Sequence, residues 1–407
     1  MSVRCAISFA LDLLLSPQWI GLGANDAWHQ DQQPSYDSDS SHHLNLLLAE
    51  RPDCFRLRLR MVSCQRAARL ELGGNATAVA EQVVVSPGSG AVALSASAAG
   101  AIVYRTGGSD AWSQFVWFDR SGKALETVPD SDIGTGFNSS ISPDGDRLAI
   151  SRRIGGTTDL WLLDLRRGVP SRFTFGPAFD LSPVWSPDGS RIAFTSIRNG
   201  KADVHVQPVG SGIEQLLLGE HGEQGPYDWS SDGRFLLYGA RSQPTGDHYD
   251  IWALPLGSNR KAFPVVESPS FDETNGQFSP DGKWIAYQSN ESGRVEIYIQ
   301  PFPGPGHKTV ISSVGGVQVR WRQDGKELFY LAPDNRLMAV PIRIDATGQS
   351  VEVGTPVSLF APRLGGNPQG NFPRHYMVSR DGQRFLIDTL KEVTIPITVV
   401  LNWKSKS

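Results

Sequence analysis

Hydrophobic and polar positions alternate along much of the chain in short runs, the period of a half-buried β-strand. The clearest runs are Asp159 to Leu165, Asp203 to Val209, Asp250 to Leu256, Glu296 to Phe302 and Arg336 to Ile342. Each follows an apolar run rich in β-branched and aromatic residues, such as Arg191 to Thr195, with a short strand such as Pro183-Val184-Trp185 before it. A weaker strand pattern follows, as in Glu214 to Leu218, Lys308 to Ser312 and Val357 to Ala361. Four strands per unit are predicted.

One turn motif sets the length of that unit. Ser142-Pro143-Asp144-Gly145, Ser186-Pro187-Asp188-Gly189, Ser230-Ser231-Asp232-Gly233, Ser279-Pro280-Asp281-Gly282, Arg322-Gln323-Asp324-Gly325 and Ser379-Arg380-Asp381-Gly382 each introduce an apolar strand. Their Asp residues lie 44, 44, 49, 43 and 57 positions apart, a period near 44 with two insertions. A four-stranded propeller blade has this length. A degenerate copy, Ser97-Ala98-Ala99-Gly100 before Ala101 to Tyr104, lies one period upstream and keeps the Gly. The expectation is an all-β, seven-bladed β-propeller of four-stranded antiparallel blades over residues 69–407, with six blades as the alternative count.

The turn chemistry accounts for the residue types. Ser suits the first position of a type I turn, Pro presets φ at the second, Asp tolerates the third and Gly supplies the φ > 0 that follows. Geometry places such an Asp once per blade whether or not a ligand is bound, so Asp144, Asp188, Asp232, Asp281, Asp324 and Asp381 are read as structural, with Gly145, Gly189, Gly233, Gly282, Gly325 and Gly382. Trp185, Trp229 and Trp321, just before the turns, are expected to pack between blades. The last repeat has strands near His375 to Val378, Phe385 to Asp388 and Ile397 to Trp403. Thr77 to Val83 precedes the first repeat without a partner and is predicted to supply the missing fourth strand, closing the ring.

Composition changes this picture little. The 42 Gly and 27 Pro suit frequent turns, and 40 % hydrophobic against 20 % charged residues excludes general disorder. A net charge of −4 offers no electrostatic footprint for nucleic acid. Cys5, Cys54 and Cys64 fit no zinc or redox spacing. The best apolar run, Ala6 to Leu15, carries Asp12, is too short to span a bilayer and makes a weak signal peptide. Residues 1–68 hold all three Cys and no Lys, and Gln30 to His43 is polar. They are expected to form a poorly ordered extension, an upstream reading-frame error or misassigned start being the alternative origin.

The turn, the [IL]-A-[FY] strand and the D-[IL]-W-x-L-x-L strand together resemble the WD40-like repeats of TolB-type β-propellers over about residues 69–403. Val103 to Gly108, Val116 to Gly122, Tyr298 to Gly304 and Val399 to Trp403 resemble, more narrowly, the extracytoplasmic propeller of bacterial eukaryotic-like serine/threonine protein kinases. That resemblance implies a sensing or protein-binding module, extracytoplasmic or periplasmic, whose catalysis lies in a separate kinase domain. No glycine-rich phosphate loop, V-A-I-K lysine, H-R-D or D-F-G is present, and the first Lys is Lys123. The alternative reading is a regulatory C-terminal remnant of a receptor-type kinase.

Catalytic motifs are lacking elsewhere too. No Ser has Gly at both −2 and +2, which a hydrolase nucleophile elbow requires, and neither H-E-x-x-H nor H-x-H occurs. The expectation is a non-enzymatic, monomeric scaffold with no cofactor or metal, binding a protein or small ligand. Its candidate ligand face is formed by the loops between second and third strands, which carry Arg105, Arg152, Arg153, Arg198, Arg241 and Arg294 on the side opposite the turns. Converging guanidinium groups suit carboxylate, phosphate or an acidic protein patch.

Overall fold

The computed structural model describes residues 113–391, with short breaks at 130–136, 155–156, 211, 220–221, 242–247, 259, 305, 346–349, 366–367 and 369–373. Outside that stretch it describes 43–49, 56–63, 73–80, 83, 94–96, 101–105 and 397–401. The chain separates into two compact units, one of residues 1–110 with 392–407 and the other of residues 111–391.

Among the described residues of the second unit, strands assemble into six antiparallel groups of four, here sheets 1 to 6. Sheet 1 comprises Phe137–Ile141, Arg147–Ile154, Thr157–Asp164 and Pro170–Arg172; sheet 2 comprises Phe179–Trp185, Arg191–Arg198, Lys201–Pro208 and Gln215–Leu218. A single parallel bridge between Thr158 and Phe179 links these two. Sheet 3 is Gln224–Trp229, Phe235–Arg241, Tyr249–Pro255 and Phe263–Val266, and sheet 4 is Glu273–Phe278, Trp284–Ser289, Glu296–Pro301 and Thr309–Val310. Sheet 5 is Val317–Trp321, Glu327–Leu331, Leu337–Ile344 and Val357–Phe360, with Val351–Val353 added to the far end of its third strand. Sheet 6 takes Tyr376–Val378 and Arg384–Leu390 from the C-terminal side, then Ser113–Asp119 and Ala124–Thr127 from the N-terminal side.

Alternation becomes packing between sheets. Each sheet buries both faces, so six apolar clusters fill the spaces between neighbours. Ala149 and Leu160 of sheet 1 meet Trp185, Ile192 and Phe194 of sheet 2. Phe329 and Leu331 of sheet 5 meet Tyr376, Phe385 and Ile387 of sheet 6, with the Phe329 and Phe385 rings edge to face at 5.1 Å. The sixth cluster joins Phe115, Trp117, Met377 and Leu386 of sheet 6 to Leu148, Ile150 and Leu163 of sheet 1. Each such buried large side chain contributes about 1.5–3 kcal/mol. Arginines at the start of second strands extend the packing outward: Arg147 lies over Trp185 at 4.9 Å and Arg191 over Trp229 at 5.1 Å.

The strand that completes the last sheet differs from the sequence expectation. Gly73–Ala80, which contains most of the segment assigned to closure, pairs with Arg56–Ser63, and Ser113–Asp119 instead pairs with Arg384–Leu390 over seven residues. The third strand expected there, Ile397–Leu401, pairs with Ala101–Arg105, which in turn pairs with Leu94–Ala96. That three-stranded sheet holds the degenerate upstream copy and belongs to the first unit, so the copy supplies no seventh four-stranded sheet among the described residues. The reason lies in pattern: Phe115-Val116-Trp117-Phe118-Asp119 has the aromatic and β-branched sequence of a third strand, and its seven-pair register outmatches the five pairs of Ile397–Leu401.

Within residues 1–68, expected to be poorly ordered, His43–Ala49 pairs antiparallel with Arg56–Ser63. Residues 1–42, including the candidate signal segment and the His42 part of the polar tract, lie outside the described residues.

Candidate functional site

Two faces and an interior of the second unit present candidate sites. On the first face lie the turns. In sheet 2 the Ser186 hydroxyl donates to Asp188 Oδ1 at 2.6 Å, Asp188 Oδ1 accepts the Ser190 N–H at 3.0 Å, and Ser186 Oγ accepts the Arg191 N–H at 2.9 Å. Gly189 sits at φ +69° and donates to Ser186 O. The arrangement recurs at Asp144–Gly145, Asp232–Gly233, Asp281–Gly282 and Asp381–Gly382, while at Asp324–Gly325 the Arg322 guanidinium replaces the Ser hydroxyl at 2.7 Å. The Ser186 hydroxyl, with the Ser190 N–H, holds Asp188 down to about 2. At each turn Asp Oδ1 is engaged within its own turn. A groove of about 870 Å³ on this side is lined by Pro280, Asp281, Asp324, Lys326, Ile342 and Arg343.

On the opposite face the loop arginines are engaged one sheet at a time. Arg152 lies over the Trp161 ring at 5.0 Å, and Arg153 beside it is exposed. Arg198 pairs with Glu214, which also lies 2.5 Å from His205. Arg241 covers Tyr249 at 4.8 Å and stands 3.6 Å from Glu223, and Arg294 pairs with Glu296 at 2.6 Å. Arg105 ends a strand of the other unit and its side chain lies outside the described residues. The structure thus distributes these arginines around the face rather than gathering them at one point.

Sequence reasoning missed the acids that hold this face together. Asp159, Asp250 and Glu296, at or near the start of third strands, are buried and point at the chain returning from the fourth strand. Asp159 pairs with Arg172 at 2.8 Å, Asp250 accepts the Ser268 N–H at 3.0 Å and Glu296 accepts the Gly315 N–H at 2.9 Å. The leading D of the D-[IL]-W pattern was the signal.

The interior is lined by the first strands, which neighbour one another in cyclic order from sheet 1 to sheet 6 and back. In sheets 1 to 5 each contains a β-bulge, and Asn138, Ser182, Asn275 and Gln318 take positive φ of 50° to 58° there. These four, with Pro226 and His375, all stand six residues before a turn Asp. Their side chains link successive strands: Asn138 Nδ2 donates to Ser182 Oγ at 2.8 Å, and Gln318 Oε1 accepts the His375 N–H at 2.9 Å. Gln318 Nε2 therefore faces His375 Nδ1, at 3.0 Å, as a donor, which fixes that ring nitrogen as unprotonated. Burial holds His375 down to about 4, in keeping with a neutral ring.

Two residues further on stand Ser140, Val184, Asp228, Gln277, Arg320 and Met377. Asp228 Oδ2 accepts the Phe278 N–H at 2.8 Å and Gln277 Oε1 accepts the Trp321 N–H at 2.9 Å, each bridging to the next sheet. Arg374, just before the first strand of sheet 6, reaches across to sheets 2 and 3 and donates to Pro183 O at 3.2 Å, Pro226 O at 3.3 Å and Tyr227 O. Burial, then the neighbouring charge of Arg320, brings the Arg374 guanidinium down to about 9, and burial raises Asp228 to about 6. No group of three metal-ligating side chains, and no helix long and apolar enough to cross a membrane, occurs among the described residues.

Residues 123–253 match the family of the TolB beta propeller domain. The chain is 26 % identical to the uncharacterized protein Atu1656 of Agrobacterium fabrum over 220 residues, covering 49 % of this chain and 72 % of the relative. It is 30 % identical to the Tol-Pal system protein TolB of Bordetella pertussis over 152 residues, covering 37 % of this chain and 34 % of the relative, so the match spans about a third of that protein. The structure is similar to that of a putative TolB from Agrobacterium tumefaciens, with a TM-score of 0.51, 20 % identity, and coverage of 69 % of this chain and 99 % of that one. None of these relatives is named as a kinase, and the kinase resemblance rests on the sequence motifs alone. The fold of this chain is that of a TolB-like β-propeller.

Proposed function

We propose that residues 111–391 form a closed six-bladed propeller that serves as a non-catalytic binding scaffold, presenting its loop-rich face and the mouth of an axial channel to a protein or small ligand. The observation that carries the reading is the contrast between its surfaces. The turn face holds Oδ1 of each turn Asp within its own turn, whereas the other face exposes Arg153, with Arg198 and Arg294 exposed beside their Glu214 and Glu296 partners, and the interior holds, among the described residues, polar side chains with unpartnered atoms, Asn138 Oδ1 and Asn275 Nδ2 among them. Closure is supported by the pairing of Arg384–Leu390 with Ser113–Asp119 and by the sixth apolar cluster, which an open row of six sheets would lack.

A rigid repeat framework with variable loops suits binding rather than one fixed chemistry. An extracytoplasmic setting, which the sequence resemblance implies, and a monomeric state complete this reading. Replacing Arg152, Arg198 and Arg241 by Ala together should abolish retention of a partner captured by the wild-type chain. Replacing Lys283 and Lys326 on the turn face should leave it intact. Equal retention by the triple variant refutes the loop face as the docking surface.

A further inference from the structure

We propose that the axial channel binds a small oxyanion, a carboxylate or a phosphate, through Arg320 and Arg374. The inference rests on the ring of six first strands proposed above and names a ligand class for its interior. Buried guanidinium groups are stable when a carboxylate or a full set of acceptors surrounds them. Neither condition is met here. Arg374 donates to three main-chain carbonyls and has no ion pair among the described residues. Among the described residues Arg320 donates only to its own neighbour, Val319 O, at 2.7 Å, and lies 5.8 Å from the Tyr376 ring. Asp228 acts electrostatically on both arginines, yet it forms no ion pair within 4 Å among the described residues and already spends one oxygen on Phe278 N–H.

Two cations therefore share one carboxylate in a space that water reaches, since Arg320, Arg374 and Asp228 are all half-buried. Asn275, 5 % exposed and on the strand next to Arg320, adds an unpartnered Nδ2 donor. Forked N–H donors and an amide donor match the oxygens of a carboxylate or phosphate. Binding would neutralise the surplus charge without breaking any hydrogen bond described above.

The test is calorimetric titration of the full chain with inorganic phosphate and with malonate, against chloride at matched ionic strength. Saturable one-to-one heat with phosphate alone assigns a phosphate ligand, and with malonate alone a carboxylate; either supports the proposal. Heat no different from chloride overturns it. Arg320→Gln should weaken binding at least about tenfold, the loss expected for a charge-assisted hydrogen bond. Arg320→Lys, which keeps the charge and loses the fork, should weaken it several-fold. Wild-type affinity in both variants would overturn the assignment of Arg320. The ring is tested separately by the Gln114→Cys and Thr389→Cys cross-link developed below: a cross-link that forms in a chain showing no saturable oxyanion binding sinks this inference alone.

Discussion

Replacing Gln114 and Thr389 by Cys, with Cys5, Cys54 and Cys64 changed to Ser, should lock the N-terminal strand of sheet 6 to its C-terminal one. The two residues are directly opposed in register, and the Thr389 hydroxyl donates to Gln114 O at 3.2 Å. Directly opposed antiparallel residues have Cα atoms about 4.5–5.5 Å apart, inside the range of about 4.4–6.8 Å that a disulfide spans. The bond would close a loop of 275 residues. Chain entropy alone then gives about 5.6 kcal/mol, and losing the Thr389 hydrogen bond removes about 1, leaving about 4.6 kcal/mol of stabilisation. Intact-mass measurement reports the bond, and guanidinium unfolding with and without reductant reports its worth. The matching control is Thr77→Cys with Thr389→Cys, which tests closure by Thr77 to Val83. Cross-linking through residue 77 with none through residue 114 would refute the strand order in sheet 6.

Two further outcomes follow from buried charge. Glu327→Gln should cost about 1–3 kcal/mol in denaturant unfolding, because Glu327 takes two N–H groups of Arg120 from sheet 6, at 2.7 and 3.0 Å, and one of Arg322 at 3.0 Å; its loss leaves Arg120 without a carboxylate, while Arg322 keeps Asp324 at 2.7 Å; a cost under about 0.5 kcal/mol would show that the contact carries little across these two sheets. Stability should fall as pH rises from about 5 to about 8. Burial pushes Glu273 and Asp388 up to about 7 and Asp228 up to about 6, so their contribution is whole below about 4 and is lost as pH climbs through those values. His375, held down to about 4, and His205, lowered by burial, oppose the trend below about 6.5, two groups against four carboxyls once Asp180, also raised by burial, is added. Asp388→Asn should flatten the slope by about one proton, and a wild-type stability that rises over this range contradicts the account.

How far the sequence could be read depends on how local each feature is. The Ser-x-Asp-Gly turns were legible because each is closed within six residues, Ser186 to Arg191 being typical. Blade count was harder, because sheet 6 is assembled from both ends of its unit: its turn lies at 379–382 and its third strand at Ser113–Asp119. The pattern of Phe115 to Asp119 matched Leu160 to Asp164, but nothing adjacent in the chain marked it as a third strand. In the N-terminal region, Arg56-Leu57-Arg58-Leu59-Arg60-Met61 has strict strand alternation and pairs as a strand, a short signal with no copy of the repeated turn beside it. The loop arginines were placed on their face by topology alone. Their engagement by Glu214 and Glu223 was not, since those partners lie 16 and 18 residues away from Arg198 and Arg241, whereas Glu296, two residues from Arg294, was within local reach.

The interior shows where repetition stops being informative and begins to point elsewhere. A position that serves only the fold is filled alike in every sheet, as the turn Gly is. The position four residues before the turn Asp holds Ser140, Val184, Asp228, Gln277, Arg320 and Met377, six residue types on one structural site. Two of them do the same work: Asp228 and Gln277 each accept the N–H of the next sheet's first strand, at 2.8 and 2.9 Å. A neutral amide therefore suffices for that bridge, and the charge on Asp228 exceeds what the bridge requires. Among the described residues Arg320 makes no such bridge and brings a half-buried cation instead. Placing a guanidinium there costs stability that Val184 or Met377 would not. The fold has no use for that cost, whereas a ligand carrying the opposite charge would recover it.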